Sequence, residues 1–170
     1  MKKLLSIAFL LTILLGAGNL SAQQPAKFGH IDTNELLRMM PGRDSAQVKL
    51  ERYARELEAT FTAMQQEFQT KYQDYLANEA SFSELIRQSK QRELGSLQER
   101  IMDFQESAQQ DLMEQENRLF APIIERARKA IEDVAKEDGY TYVFDITAGS
   151  LLFWEPTNDI MPRVKAKLGL

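Results

Sequence analysis

Between Leu50 and Tyr75 the apolar residues fall into one stripe. They are Leu50, Ala54, Leu57, Phe61, Met64, Phe68 and Tyr75, separated by steps of 4, 3, 4, 3, 4 and 7. Lys71 interrupts the longest step. A 3.5-residue repeat specifies the seam of a left-handed coiled coil. A helix with such a stripe gains its stability from the surface it buries, so it must lie against another helix.

The second helix follows in the same chain. Leu94, Leu97, Ile101, Phe104 and Ala108 step by 3, 4, 3 and 4. Asp111 and Gln115 then take the heptad positions, while Leu112, Leu119, Ile123, Ala127, Ala130 and Val134 continue at near-helical spacing. That stutter locally unwinds a supercoil. Between the stripes lies "NEASFSEL", Asn78–Leu85, where Ser81 and Glu84 have the spacing of a capping box and predict a new helix start. Pro122 is expected to kink or restart the second helix, and Gly139 to end it. The reading is a long antiparallel helical hairpin, a coiled-coil arm over residues 44–121 with its tip near 78–84. Each helix would reach about 50 Å at 1.5 Å per residue.

The arm needs a base, and the two ends of the chain supply it. "KFGHID", Lys27–Asp32, reads as a strand with Phe28, His30 and Asp32 on one face and Gly29 and Ile31 on the other. Thr33 or Asn34 can cap the short helix "ELLRMM", which Pro41-Gly42 stops. After the arm, Tyr140, Tyr142, Phe144 and Ile146 alternate with Thr141, Val143 and Asp145, a half-buried strand pattern. A turn at Thr147–Ser150 leads to Leu151–Trp154, apolar on both faces and expected to form a third strand. A last helix should start at Asn158 or Asp159 and carry Pro162 in its first turn. Helical residues Leu119–Val134 and Val164–Leu168 can cover one face of such a sheet. The other face and the open edges need a partner. Further copies of the same chain, arranged cyclically, would close the sheets into a barrel. The fold class is α+β, mainly α, with a small β-rich body from residues 23–43 and 122–170.

"MKKLLSIAFLLTILLGAGNLSA" has the form of a secretory signal peptide, residues 1–22. Lys2 and Lys3 precede an apolar run at Leu4–Leu15, which is shorter than the roughly 20 residues of a membrane span. No Cys follows that run, which argues against a lipoprotein anchor. The expected mature chain, 23–170, is one domain without Cys, so it has neither disulfides nor thiol chemistry. Without Lys2 and Lys3 it carries 19 basic and 25 acidic residues, net −6. That balance argues against nucleic acid or a phosphorylated glycolipid as the main ligand.

The signal peptide, "KFGHIDTNELL", the long helical hairpin, and "DGYTYVFDITAGSLLF" before a short helix together resemble the Skp/OmpH-like periplasmic chaperones. The resemblance spans the mature chain. It implies a homotrimer with a β-rich body and three arms around a cavity. It implies a periplasmic, ATP-independent holdase that binds unfolded outer-membrane β-barrel proteins and prevents their aggregation. It implies no cofactor and no catalytic residues. The chain departs from basic members of that family by its acidity, which argues against membrane or lipopolysaccharide contact.

The residues themselves point to no reaction. His30 is the only His and reads as structural, since no Cys or second His could complete a transition-metal site. There is no phosphate-cradling Gly loop, no G-x-S-x-G and no evident Ser/His/Asp arrangement. The expected oligomer core is Phe28, Ile31, Tyr142, Phe144, Leu151, Phe153 and Trp154. Leu57, Phe61, Met64 and Phe68 are expected to be hairpin core. Apolar residues off the seam are the candidates for client contact: Tyr53, Tyr72, Leu76, Phe82, Met102 and Met113. Methionine suits contacts with varied sequences. The rival reading is a secreted coiled-coil structural or adaptor protein that docks one folded envelope partner. An adaptor would concentrate aromatics or Arg in one hot spot, whereas here the apolar residues are dispersed.

Overall fold

The computed structural model describes residues 25–170. The signal peptide expected at 1–22 lies outside them. Among the described residues, no helix is long and apolar enough to cross a membrane. The elements are strand β1 (Phe28–Ile31), helices α1 (Thr33–Met39), α2 (Arg43–Asn78) and α3 (Glu84–Glu137), strand β2 (Tyr142–Asp145) and helix α4 (Met161–Leu168). The protein is mainly helical with a small sheet.

Local chemistry explains the joints. Asp32, and not Thr33 or Asn34, caps α1, its carboxylate accepting from the Glu35 amide at 2.7 Å. Pro41 and Gly42 then form a tight turn, with the Arg43 amide donating to the Met40 carbonyl at 3.2 Å. Gly42 takes φ 90° and ψ −13°, the third position of a type II turn, which favours glycine. At the far end Ser83 caps α3, accepting from Ile86. Ser81, the expected cap, instead donates to the Asn78 carbonyl at 2.7 Å and closes a short 3₁₀ turn at Glu79–Ser81. Helix α3 ends in a Schellman motif: Tyr140 donates to the Ala135 carbonyl at 2.8 Å and Gly139 to that of Lys136. Gly139 has φ 72°.

Pro122 does not restart the second helix. Helix α3 continues through it and is 54 residues long. Proline in a helix interior costs about 3 kcal/mol or more. Packing on both sides of it offsets that cost, with Ala127, Ala130 and Val134 buried in the body and Leu97 buried in the seam.

Helices α2 and α3 lie side by side and antiparallel. The Tyr53 hydroxyl donates to Asp111, Lys71 pairs with Glu93, and Gln91 donates to the Tyr75 hydroxyl at 2.9 Å. Tyr75 in turn donates to Glu79 at 2.7 Å. Lys71, the interruption in the first stripe, therefore has an ionic partner on the facing helix.

The sheet has two strands, and they are parallel: Phe28 pairs with Tyr142 and Ile31 with Asp145. Parallel pairing follows from the long helical excursion between them. The expected third strand is absent, and Leu151–Trp154 is irregular. The free edge of β1 is already taken, because Ile160 donates to the His30 carbonyl at 3.0 Å beside a His30–Asp159 bridge. Among the described residues, the strand edge that remains for Leu151–Trp154 is the outer edge of β2.

One face of the sheet packs on the helices. Ile31, Leu36, Met40, Ala127, Ala130, Val134, Ile160, Met161 and Val164 form the body core. Gly29 is required there, since a Cβ would come within 2.9 Å of both Ile160 Cγ2 and the Tyr140 ring. Arg163 clamps α4 to the end of α3 by donating twice to Asp138, at 3.0 and 2.8 Å.

Candidate functional site

Among the described residues, much of the other face of the sheet is open to solvent, with His30 alone covered on the β1 side. Strand alternation turns Phe28 and, across the ladder, Tyr142 and Phe144 outward together. The Phe28 ring stacks on Tyr142 at 5.9 Å and on Phe144 at 6.2 Å. These three side chains are 49%, 59% and 39% exposed. Phe153 is 75% exposed, and Leu151 is half-buried. Trp154 tilts over the His30 ring at 6.0 Å. A cleft of about 150 Å³ joins Phe28, Phe144, Leu151, Phe153 and Trp154. Six of the seven residues expected in an oligomer core thus share one outward surface. Ile31 does not. It is 1% exposed inside the core of the single chain, because the odd positions of β1 face the helices.

His30 is buried beneath this surface. Its Nε2 lies 3.0 Å from the Glu155 carbonyl, which can only accept, so the ring proton is placed on Nε2. Among the described residues Nδ1 has no hydrogen-bond partner. Among the described residues no group of three or more His, Asp or Glu could hold a metal ion.

Asp145, at the end of β2, organises the turn that leads to the aromatic segment. It accepts from the Thr33 hydroxyl at 2.6 Å, the Thr147 amide at 3.0 Å and the Thr147 hydroxyl at 2.8 Å. Burial pushes the carboxyl up, but those hydrogen bonds outweigh it and hold it below the usual aspartate value. The sequence pattern marked Asp145 only as an alternating polar residue. D-I-T, an Asx-type turn, is the signal that could have found it.

The client-contact candidates sit along the two long helices, with Phe82 in the connection between them, and are not gathered into one place. Tyr72, Leu76, Met102 and Met113 are exposed. Tyr53 and Phe82 are half-buried and already engaged, Tyr53 with Asp111 and Phe82 against Tyr75 at 6.2 Å. The bond to Asp111 raises the Tyr53 phenol. The hydrogen bond between Lys71 and Glu93 raises the amine and lowers the carboxyl, so both stay charged at neutral pH. Leu57, Phe61, Met64 and Phe68, expected as core, are only half-buried. Two helices cover their shared seam from one direction only.

The family model for outer membrane protein (OmpH-like) matches residues 27–168. No curated protein matches the chain. Among solved structures, the chain is similar to a candidate outer membrane chaperone (OmpH-like) from Caulobacter crescentus. The TM-score is 0.70 at 12% identity, covering 84% of this chain and 83% of that one. At that identity the likeness speaks to the fold.

Proposed function

The chain belongs to the outer membrane protein (OmpH-like) family, and from that premise we propose that it is an ATP-independent holdase of the periplasm. In this reading its signal peptide is removed on export, and three copies assemble through the uncovered aromatic face of the body. Phe28, Tyr142, Phe144, Leu151, Phe153 and Trp154 supply the shared core. The α2–α3 arms then surround a cavity that receives unfolded outer-membrane β-barrel proteins. No chemistry is required of it. Binding the unfolded state lowers the free concentration of aggregating chain by mass action.

One observation carries the choice between a holdase and an adaptor. The exposed large apolar residues of the long helices, among them Tyr72, Leu76, Leu85, Met102 and Met113, are spread along their length. A surface of many separated weak contacts suits partners that share little sequence, whereas an adaptor for one folded partner concentrates its energy in a few residues. The test is the aggregation of a urea-unfolded outer-membrane β-barrel on dilution, followed by light scattering without nucleotide. The mature protein, residues 23–170, is expected to suppress it at near-stoichiometric amounts. Unchanged scattering at excess protein would refute the proposal.

A further inference from the structure

The two faces of the α2–α3 pair differ. On one face the helices are tied together by Tyr53–Asp111 and Lys71–Glu93. On the other face the seam is open. A hollow of about 340 Å³ exposes Leu57, Phe61, Phe104, Ala108 and Leu112, and a second continues it past Phe68 and Ile101. Ala54 and Ala108 leave the floor low where larger side chains would fill it.

The rim of this open face is mostly uncharged amide. Gln65, Gln66 and Gln69 of α2 and Gln98, Gln105 and Gln109 of α3 line the two hollows. Among the described residues these six side chains make no hydrogen bond with protein. Each amide offers donors and an acceptor without a charge. Free main-chain N–H and C=O groups require that chemistry, whatever the side chains. A helix has already paired its own main chain, so a helical ligand would leave these amides idle.

We propose that this face is the seat of an extended, unpaired polypeptide segment of alternating pattern. The inference rests on the holdase reading and specifies its ligand. From Ala54 to Thr70 the groove is about 24 Å long at 1.5 Å per residue, room for about seven extended residues. An extended segment turns every second side chain to the apolar floor and the others to solvent. The main chain between them lies within reach of the glutamines. A groove open on one side thus selects alternation over total hydrophobicity. Alternation is the pattern of transmembrane β-strands before they fold.

The chain has no Cys, so single cysteines report locally. Gln69→Cys and Gln105→Cys place thiols on the rim, and Thr60→Cys and Arg100→Cys place them on the opposite side by helical spacing. Each variant of the mature protein is mixed with an unfolded β-barrel client, and thiol modification is timed while light scattering records aggregation. With client at ten times its dissociation constant, a covered thiol reacts about tenfold more slowly. That slowing is expected at Gln69→Cys and Gln105→Cys and not at the other two. An unstructured peptide of alternating apolar and polar residues should give the same protection. A peptide of equal composition with its apolar residues in one block, or an amphipathic helix, should give much less. Suppressed aggregation with equal protection on both faces, or on neither, would overturn the groove and leave the holdase reading standing. Equal protection by the helical or the blocked peptide would overturn the extended, alternating ligand. Failure to suppress aggregation of any client would overturn the holdase reading and the groove with it.

Discussion

The contacts between α2 and α3 specify a paired deletion. Tyr53 meets Asp111 and Lys71 meets Glu93, so Glu58–Met64 and Arg100–Glu106 lie opposite each other between those ties. Removing both segments deletes one heptad from each helix and leaves both cross-helix contacts in register. The arm should shorten by about 10.5 Å, seven residues at 1.5 Å each. Four seam residues are lost, Phe61, Met64, Ile101 and Phe104, all half-buried. The buried body core, Ile31, Leu36, Val134, Ile160 and Val164, is untouched. Small-angle scattering should show the contraction, the oligomer mass should fall only by the deleted residues, and the largest client kept soluble should become smaller. Deleting Glu58–Met64 alone makes a sharper comparison. It shifts Lys71 away from Glu93 by about 10.5 Å and leaves the two helices unequal in length, so seam apolar residues beyond the deletion lose their facing partners and the arm should lose stability. If the paired deletion dissociated the assembly, the arms would be part of its core and the division into body and arm would be wrong. If it left client capacity unchanged, the arms would not be what holds the client.

Three further outcomes follow from named contacts. Leu36 is 0% exposed, so Leu36→Ala should destabilise the body by about 2–5 kcal/mol in urea unfolding, while an equivalent change at exposed Leu85 should do little. Asp145 is held below its unfolded value, so its contribution is fully present above about pH 4 and is lost as pH falls through the lower folded value; Thr33→Val should shrink that acid-dependent loss in denaturant titrations at pH 2–6. The mature chain is net −6 and the proposed client surface is apolar and amide, so client affinity should change less than about tenfold, or 1.4 kcal/mol, between low and moderately high salt. A steep loss with salt in a fluorescence titration would mean that charge pairing holds the client.

The helical periodicity was legible because it is local: the steps of 3 and 4 from Leu50 to Phe68, and those from Leu94 to Ala108, fall within α2 and α3. So were Gly42 and Gly139, whose positive φ follows from the turn each must make. Long-range competition was not legible. Leu151–Trp154 has strand composition, but it is Asp159–Ile160 that reaches β1, and composition does not say which segment arrives. Ile31 and Phe28 look equally apolar in sequence, and only the packing of α3 and α4 decides that one is buried in the single chain and the other is not. A restart at Pro122 is one reading because propensity counts one residue, whereas the packing of its neighbours carries the helix through. Of the proposed client surface, the seam could be read from the sequence. Which side of it stays open could not, since that depends on where Tyr53–Asp111 and Lys71–Glu93 close it.

The most direct measurement is the mass, by multi-angle light scattering, of the mature protein at micromolar concentration, alone and after mixing with an unfolded β-barrel client without nucleotide. The account predicts three copies alone and a single soluble species of three copies with one client bound. Phe153→Asp, which would bury a charge in the shared core at a cost of several kcal/mol, should dissociate the trimer and return the client to the pellet. A stable monomer that leaves the client to aggregate, or a trimer that survives Phe153→Asp unchanged, would contradict it.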